Sequence, residues 1–438
     1  MRLVNANGKR LLLTDSGEVH TPGTLFLNSR YDNPNTLGTV ALGLRLLEVF
    51  LRSFDISLPR RALDGQCLHT LEVGWLGNLS YRPVEELESM NTRMLVRLAK
   101  SQNVAHRDRP GAVAASTASA RLVQIGEFLT WYFENILTPR ITSPQARTDL
   151  YERYAATVRE LKKKIRGGNS KHPTQVRSLP TEVFVQLIRE VWCRPETIFC
   201  SESGATSPTV MRDRAMFLLA CEGMRPGAIG NLALQDFTGC QMCIVDNAGK
   251  RGKGLSEGTP VQKGARSNMQ AYSSEHNITL WPWTTAAIHE YIQGERAELL
   301  NRRLHNPSKG FLFLENQYGG PISNRRTISL IFERAERRLL ELGFLSRPSG
   351  DRYIKTEDYK LTAYNLRHSA ATLYISIKGD SEQTRSEMKE RFGWSANSKM
   401  PEHYARRAKM DAASLDLADL WESIKADRLK MREEIECA

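Results

Sequence analysis

The chain has 438 residues, 41% of them hydrophobic and 25% charged; this globular balance excludes wholesale disorder, and the length exceeds one compact core, so at least two domains are expected. Its 61 Lys and Arg against 49 Asp and Glu give a net charge of +12, which favours a polyanionic partner, nucleic acid above all. No apolar run approaches the roughly 20 residues that span a bilayer, the N-terminus does not read as a secretory signal, and the seven scattered cysteines fit a reducing, cytoplasmic compartment.

In chain order, residues 1–32 form an N-terminal segment whose two apolar runs flank Asp15-Ser16-Gly17, a pattern that predicts a hairpin there. Residues 33–166 read as an all-helical domain. Leu42, Leu46, Leu47, Phe50 and Leu51 recur at helical spacing, and further helices are expected around Leu68–Leu76, over Glu85–Ala99, after Ser116-Thr117 and over Ala146–Ile165. Residues 167–180, rich in Gly, Pro, Ser and basic residues, read as a linker. A second domain, 181–438, opens with Phe184, Leu187, Ile188 and Val191 on one helical face. Its helical signal lasts to Cys221. A strand-and-turn region follows from about Phe237 to Trp281, with strands expected in MCIV, TPVQ and ITLW, and the chain is then mostly helical to Ala438. The expected fold is mainly α with a small β-sheet: a helical domain followed by an α+β domain. Cys240 and Cys243 form a CxxC without a second pair or a nearby histidine pair, so two buried thiols are expected rather than a zinc site. The glycines around Lys253 match neither a P-loop nor a dinucleotide fingerprint.

Three segments of the second domain carry groups suited to phosphate chemistry. The first, GMRPGAIGNLALQDF, places Arg225 in a turn just after a helix end. The second, LTAYNLRHSAATLYI, places Tyr364 and Arg367 one helical turn apart, with His368 next. The third, MKERFGWSANSKMPEHYARRA, ends a helix at Gly393, sets Trp394 in the turn and carries Tyr404 ten residues further on. Taken singly, each has a plainer reading: an arginine capping a helix C-terminus, a surface arginine, a core Trp and a partly buried Tyr. Together they supply what cutting a phosphodiester needs. Arginine forks neutralise the non-bridging oxygens, and a phenol can attack phosphorus if it is activated locally.

The combination resembles the tyrosine recombinase (phage integrase) family. GMRPGAIGNLALQD fits a first box of the form GLRxxELxxLxxxD through Gly223, Arg225, Leu232 and Asp236. YNLRHSAAT fits HxLRHTxAT through Leu366, Arg367, His368, Ala371 and Thr372. FGWSANSKMPEHYAR fits LGHSSxxxTxxYxH through Gly393, Trp394, Ser395 and Tyr404. The resemblance covers all but about the first 30 residues. It implies a helical core-binding domain over 33–166 and a catalytic domain that together clamp double-stranded DNA.

By that resemblance Arg225 and Arg367 hold the scissile phosphate, Trp394 helps hold it and Tyr404 forms a 3′-phosphotyrosyl bond. Tyr364 stands at a catalytic position, His368 is a supporting group, and a lysine between the first two boxes protonates the 5′-oxygen. That lysine is taken as Lys263, with Lys253 and Lys250 as alternatives. The resemblance further implies no metal or nucleotide cofactor, a homo-tetramer on paired sites, accessory DNA-bending proteins and no membrane. The amphipathic tail carrying Leu417, Leu420, Trp421 and Ile424 either docks into a neighbouring protomer or packs on its own core. A role in integration, excision or transposition of a mobile element is expected, with chromosome-dimer resolution, a type IB topoisomerase and a non-catalytic DNA-binding protein as alternatives. Two positions depart from the family pattern: Ala228, where an acidic residue is usual, and Tyr364, where a histidine is usual.

Overall fold

The computed structural model describes residues 1–6, 9–31, 34–101, 111–165, 178–200, 205–251, 258–262, 276–302, 305, 307–345, 361–404 and 408. The chain divides into two compact units, Met1–Pro173 and Thr174–Ala438. The architecture is mainly helical, with a two-stranded hairpin in the first unit and a three-stranded sheet in the second.

The first unit opens with β1 (Arg2–Ala6) and β2 (Lys9–Leu13), paired antiparallel with Leu3 opposite Leu12. The hairpin therefore lies ahead of Asp15-Ser16-Gly17, where the sequence pattern put it. Across the Asp15–Gly17 turn the chain returns for a single bridge, Leu13 to Val19, flanked by backbone bonds from the Thr14 N–H to Glu18 and from the His20 N–H to Leu12. The second apolar run, TLFL, folds into α1 (Thr21–Arg30) instead of a strand. Two local features explain the helix. Pro22 fixes its first turn, and His20 caps it, its Nδ1 accepting the Gly23 N–H at 3.1 Å.

The remaining helices are α2 (Pro34–Ser53), α3 (Leu58–Leu63), α4 (Thr70–Leu79), α5 (Val84–Ser89), α6 (Thr92–Lys100), α7 (Ala115–Tyr132) and α8 (Pro144–Lys164). The single helix expected over Glu85–Ala99 is broken because Asn91 starts a new one, its side chain accepting the Met94 N–H at 2.9 Å. Helix α1 packs into this unit's core. Phe26 is fully buried, edge-on to Phe128 at 5.4 Å and against Trp131 at 5.5 Å, both on α7.

The second unit starts after Pro180 with α9 (Thr181–Cys193) and the single turn α10 (Pro195–Ile198). At its centre is α11 (Val210–Cys221), buried at every position except Met211. Helices α9, α13 (Pro282–Tyr291), α15 (Arg325–Glu341) and α16 (Ala363–Lys378) pack around it. Such burial on all sides matches a sequence that is apolar around the whole helix between Ala215 and Cys221. After α11 come the short α12 (Pro226–Ile229) and the sheet. Strands β3 (Phe237–Thr238), β4 (Gln241–Ile244) and β5 (His276–Thr279) are antiparallel in that order, with Met242 opposite Ile278. The short α14 (Ala297–Asn301) and, later, α17 (Glu382–Arg391) complete the helices that α13, α15 and α16 begin.

Two sequence expectations are corrected here. Residues 259–262 of TPVQ are not a strand; Pro260 offers no N–H to a ladder, and the segment packs on α12, where any Cβ on Gly227 would meet the Val261 carbonyl oxygen at 2.5 Å. Cys240 is exposed and Cys243 half-buried, not two buried thiols, because Cys240 lies in the turn between β3 and β4 and Cys243 on the short strand β4, rather than in the helical core. Lys253, Lys263, the linker residues 167–177 and the tail from 409 to 438 lie outside the described residues. Among the described residues no helix is long and apolar enough to cross a membrane.

The packing of α1 gives a direct test. Phe26→Ala is expected to cost about 3–5 kcal/mol, measured by urea unfolding. A loss below about 1 kcal/mol would mean that α1 is not part of the core.

Candidate active site

Two helix ends in the second unit stop in the same way. At the end of α11 the Gly223 N–H reaches the Ala220 carbonyl at 2.9 Å and the Met224 N–H reaches the Leu219 carbonyl at 3.1 Å. At the end of α17 the Gly393 N–H reaches Glu390 at 3.1 Å and the Trp394 N–H reaches Lys389 at 2.8 Å. Both are Schellman ends, which need a left-handed residue at the turn. Gly223 has φ +95° and Gly393 has φ +57°. A Cβ at Gly223 would meet the Phe392 ring at 2.3 Å, and one at Gly393 would meet the His276 ring at 2.5 Å. The two glycine turns therefore pack closely enough to exclude side chains.

Helix α16 brings the third group. Thr362 caps it, its Oγ1 accepting the Asn365 N–H at 3.2 Å. Arg367, only 4% exposed, lies one turn in. Its Nη1 donates to the Gly223 carbonyl and its Nη2 to the Phe392 carbonyl. The guanidinium carbon sits 5.3 Å from the Phe392 ring centre and 5.4 Å from that of Trp394. These two bonds leave three of the five arginine N–H groups for other acceptors.

The aromatic groups form a continuous stack. Trp394 lies parallel to Phe392 at 4.9 Å and to Tyr404 at 5.2 Å, with ring planes 18° and 11° apart. His368, fully interior, stands edge-on to Tyr404 at 4.7 Å and to Tyr364 at 4.4 Å. Tyr404 is buried at 3% exposure, whereas Tyr364 is 47% exposed. Arg225, half-buried, caps α12 in an extended conformation and shares an electrostatic field with Tyr364, Tyr404 and Arg367. Arg225, Tyr364, Arg367, His368, Trp394 and Tyr404 thus converge. Lys250 is exposed in the single turn 248–251. Asp236 has a structural place: its Oδ2 accepts from the Ala233 N–H at 2.8 Å and from Asn247 Nδ2 at 2.6 Å. His403, half-buried and 5.7 Å from the Tyr404 ring, was not singled out in sequence, although it directly precedes the tyrosine.

The electrostatics are unbalanced. Burial lowers the pKa of Arg225. Burial, and then the neighbouring Arg225 charge, push Arg367 down to about 9. A guanidinium stays protonated at neutral pH, so these shifts express the cost of holding two cations together out of water. Ala228 is buried, and among the described residues neither arginine has a carboxylate partner. Burial raises Tyr404 above its ordinary value of about 10, more than Arg367 and Arg225 lower it. The phenol is therefore protonated at neutral pH, and the stability linked to it is present below about pH 10 and lost as pH climbs through the raised value. An anion bound between the arginines would relieve their repulsion.

No protein-family model matches the chain, and no curated protein matches it. Three solved structures are similar at 14% identity. A lambda integrase (75–356) dimer bound to a COC′ core site matches over 86% of this chain and 91% of that chain, with a TM-score of 0.42. A lambda integrase dimer bound to a COC′ core site and a lambda integrase tetramer bound to a Holliday junction each match over 92% of this chain and 93% of that chain, with TM-scores of 0.31 and 0.33.

The uncompensated arginine pair has a measurable consequence. Arg225→Gln is expected to leave the melting temperature of the free protein unchanged or raised, and to abolish the stabilisation by inorganic phosphate at constant ionic strength that the unaltered protein should show. A lowered melting temperature with phosphate stabilisation intact would contradict this electrostatic picture.

Proposed function

We propose that this chain is a tyrosine-type site-specific recombinase that cuts and rejoins double-stranded DNA through Tyr404. The observation that carries the reading is the convergence of Arg225 and Arg367, neither with a described carboxylate partner, on the buried Tyr404 phenol. Arginines lacking a carboxylate suit a site whose anion arrives with the substrate. The resemblance of the three sequence boxes supplies the reaction class.

In this reading Arg225 and Arg367 hold the non-bridging oxygens of one phosphate. The Tyr404 oxygen attacks phosphorus, the bond to the 5′-oxygen breaks, and a 3′-phosphotyrosyl link forms. The phenol gives up one proton and the leaving 5′-oxygen takes one, so the step is balanced. The linkage keeps the energy of the broken phosphodiester, so rejoining reverses the same chemistry. Lys263 is the proposed donor to the 5′-oxygen; the described chain reaches Gln262 along α12, whose preceding residue is Arg225. Trp394 braces the phenol through its stacking face and offers its indole N–H to the phosphate, while His368 supports both tyrosines. The raised phenol sets the mechanistic demand: its proton must leave as attack proceeds, not beforehand. Paired sites held by a homo-tetramer, a role in a mobile element, DNA-bending accessory proteins and residence in the cytoplasm or nucleoid complete the proposal.

A second reading, a DNA-binding protein without catalysis, is favoured by one observation, the 3% exposure of Tyr404. One experiment separates the two. Duplexes tiled across the DNA flanking the gene, each carrying a 5′-bridging phosphorothiolate, should yield a covalent adduct with the unaltered protein. Tyr404→Phe should yield none while still binding the same duplexes. An adduct of normal yield from Tyr404→Phe would refute the nucleophile; binding without any adduct from the unaltered protein would favour the second reading.

A further inference from the structure

The residues immediately before the two glycine turns form a second fastening between them. Glu222 precedes Gly223 and Arg391 precedes Phe392-Gly393. Glu222, whose side chain has no exposed surface, pairs with Nη2 of Arg391. Its other oxygen accepts the Trp281 N–H at 2.7 Å. The Nη1 of Arg391 donates to the Thr279 carbonyl at 3.0 Å, and its guanidinium carbon lies 5.9 Å from the Trp281 ring centre. The pair thus ties the ends of α11 and α17 to the junction between β5 and α13.

This pair is poorly suited to a role in bulk stability. Burial raises the Glu222 carboxyl above its usual range despite the attraction of Arg391. Desolvating two charges offsets most of what their attraction contributes. The position of the pair is more informative. One residue further along each chain, the Gly223 and Phe392 carbonyls receive the two Arg367 bonds, so the separation of those carbonyls fixes where the Arg367 guanidinium sits.

We propose that Glu222 and Arg391 are positioning residues, which set the spacing of the two glycine turns and thereby aim Arg367 at the phosphate. The catalytic consequence rests on the recombinase reading; the geometric one does not. Displacing a reacting or phosphate-holding group by about 1 Å can cost on the order of 10²-fold in rate.

The test compares Glu222→Gln, and the double variant Glu222→Gln with Arg391→Met, with the unaltered protein. Glutamine retains an acceptor for the Trp281 N–H, and Glu222→Gln alone serves if the double variant does not fold. The double variant, which removes both charges, is expected to melt within about 3 °C of the unaltered protein, whereas Glu222→Gln alone leaves Arg391 uncompensated and is expected to melt lower. The folded fraction of both is expected to bind the phosphorothiolate duplexes. Adduct formation by the double variant is expected to slow on the order of 10²-fold. A purely structural role would lower the melting temperature of the double variant and leave the rate of the folded fraction intact, and that result overturns the proposal. Crystal structures of the variants give a readout that does not depend on activity. Arg367 is expected to lose at least one of its two carbonyl bonds, and Arg367 bonded to both in its original place overturns the proposal. If the unaltered protein forms no adduct but Arg367 shifts in the variants, the recombinase reading falls and the positioning role stands.

Discussion

The second unit depends on one buried cation. Arg367 reaches from α16 to the backbone carbonyls of Gly223 and Phe392, groups at the ends of two other helices. Neither carbonyl is available to a helix partner, because both helices stop at left-handed glycines. A charged donor on an exposed helix end would add little. Here it joins α11, α16 and α17 in the interior, where a donor lost leaves two carbonyls unsatisfied. The aromatic stack of Phe392, Trp394 and Tyr404 extends outward from the same point, so the cation, the indole and the phenol share one scaffold.

That scaffold is electrostatically incomplete. Arg225 and Arg367 repel each other, burial disfavours both charges, and the same burial keeps the Tyr404 proton in place. Stability and function pull in opposite directions at such a site. Among the described residues no carboxylate offsets the two arginines, and an anionic ligand would. In the reading proposed above that anion is a phosphate diester, beside a phenol that stands edge-on to His368 and flat on Trp394.

Much of this was legible in the sequence, for physical reasons. Gly223 and Gly393 could be read as helix stops because Schellman ends demand glycine. Tyr364 and Arg367 could be placed on one helix by their spacing. The apolar pattern of α2, α7 and α9 announced the helices of both units. The failures are equally specific. TLFL alternates poorly enough to read as strand or helix, and Pro22 and the His20 cap decided it. Asn91 divided a helix whose apolar pattern runs on without interruption. TPVQ has strand-like composition but Pro260 removes a ladder donor. The Glu222–Arg391 pair left no trace in either box, since it joins residues 169 positions apart that become neighbours only when both turns close.

The central claim is that the phenol of Tyr404, buried beneath the two arginines, is the atom that becomes bonded to DNA. Protease digestion of a trapped protein–DNA complex, followed by mass spectrometry of the nucleotide-bearing peptide, tests it most directly. The account predicts a 3′-phosphate on Tyr404 within the peptide that contains His403. The same modification on Tyr364, the exposed phenol on the other side of His368, would contradict it.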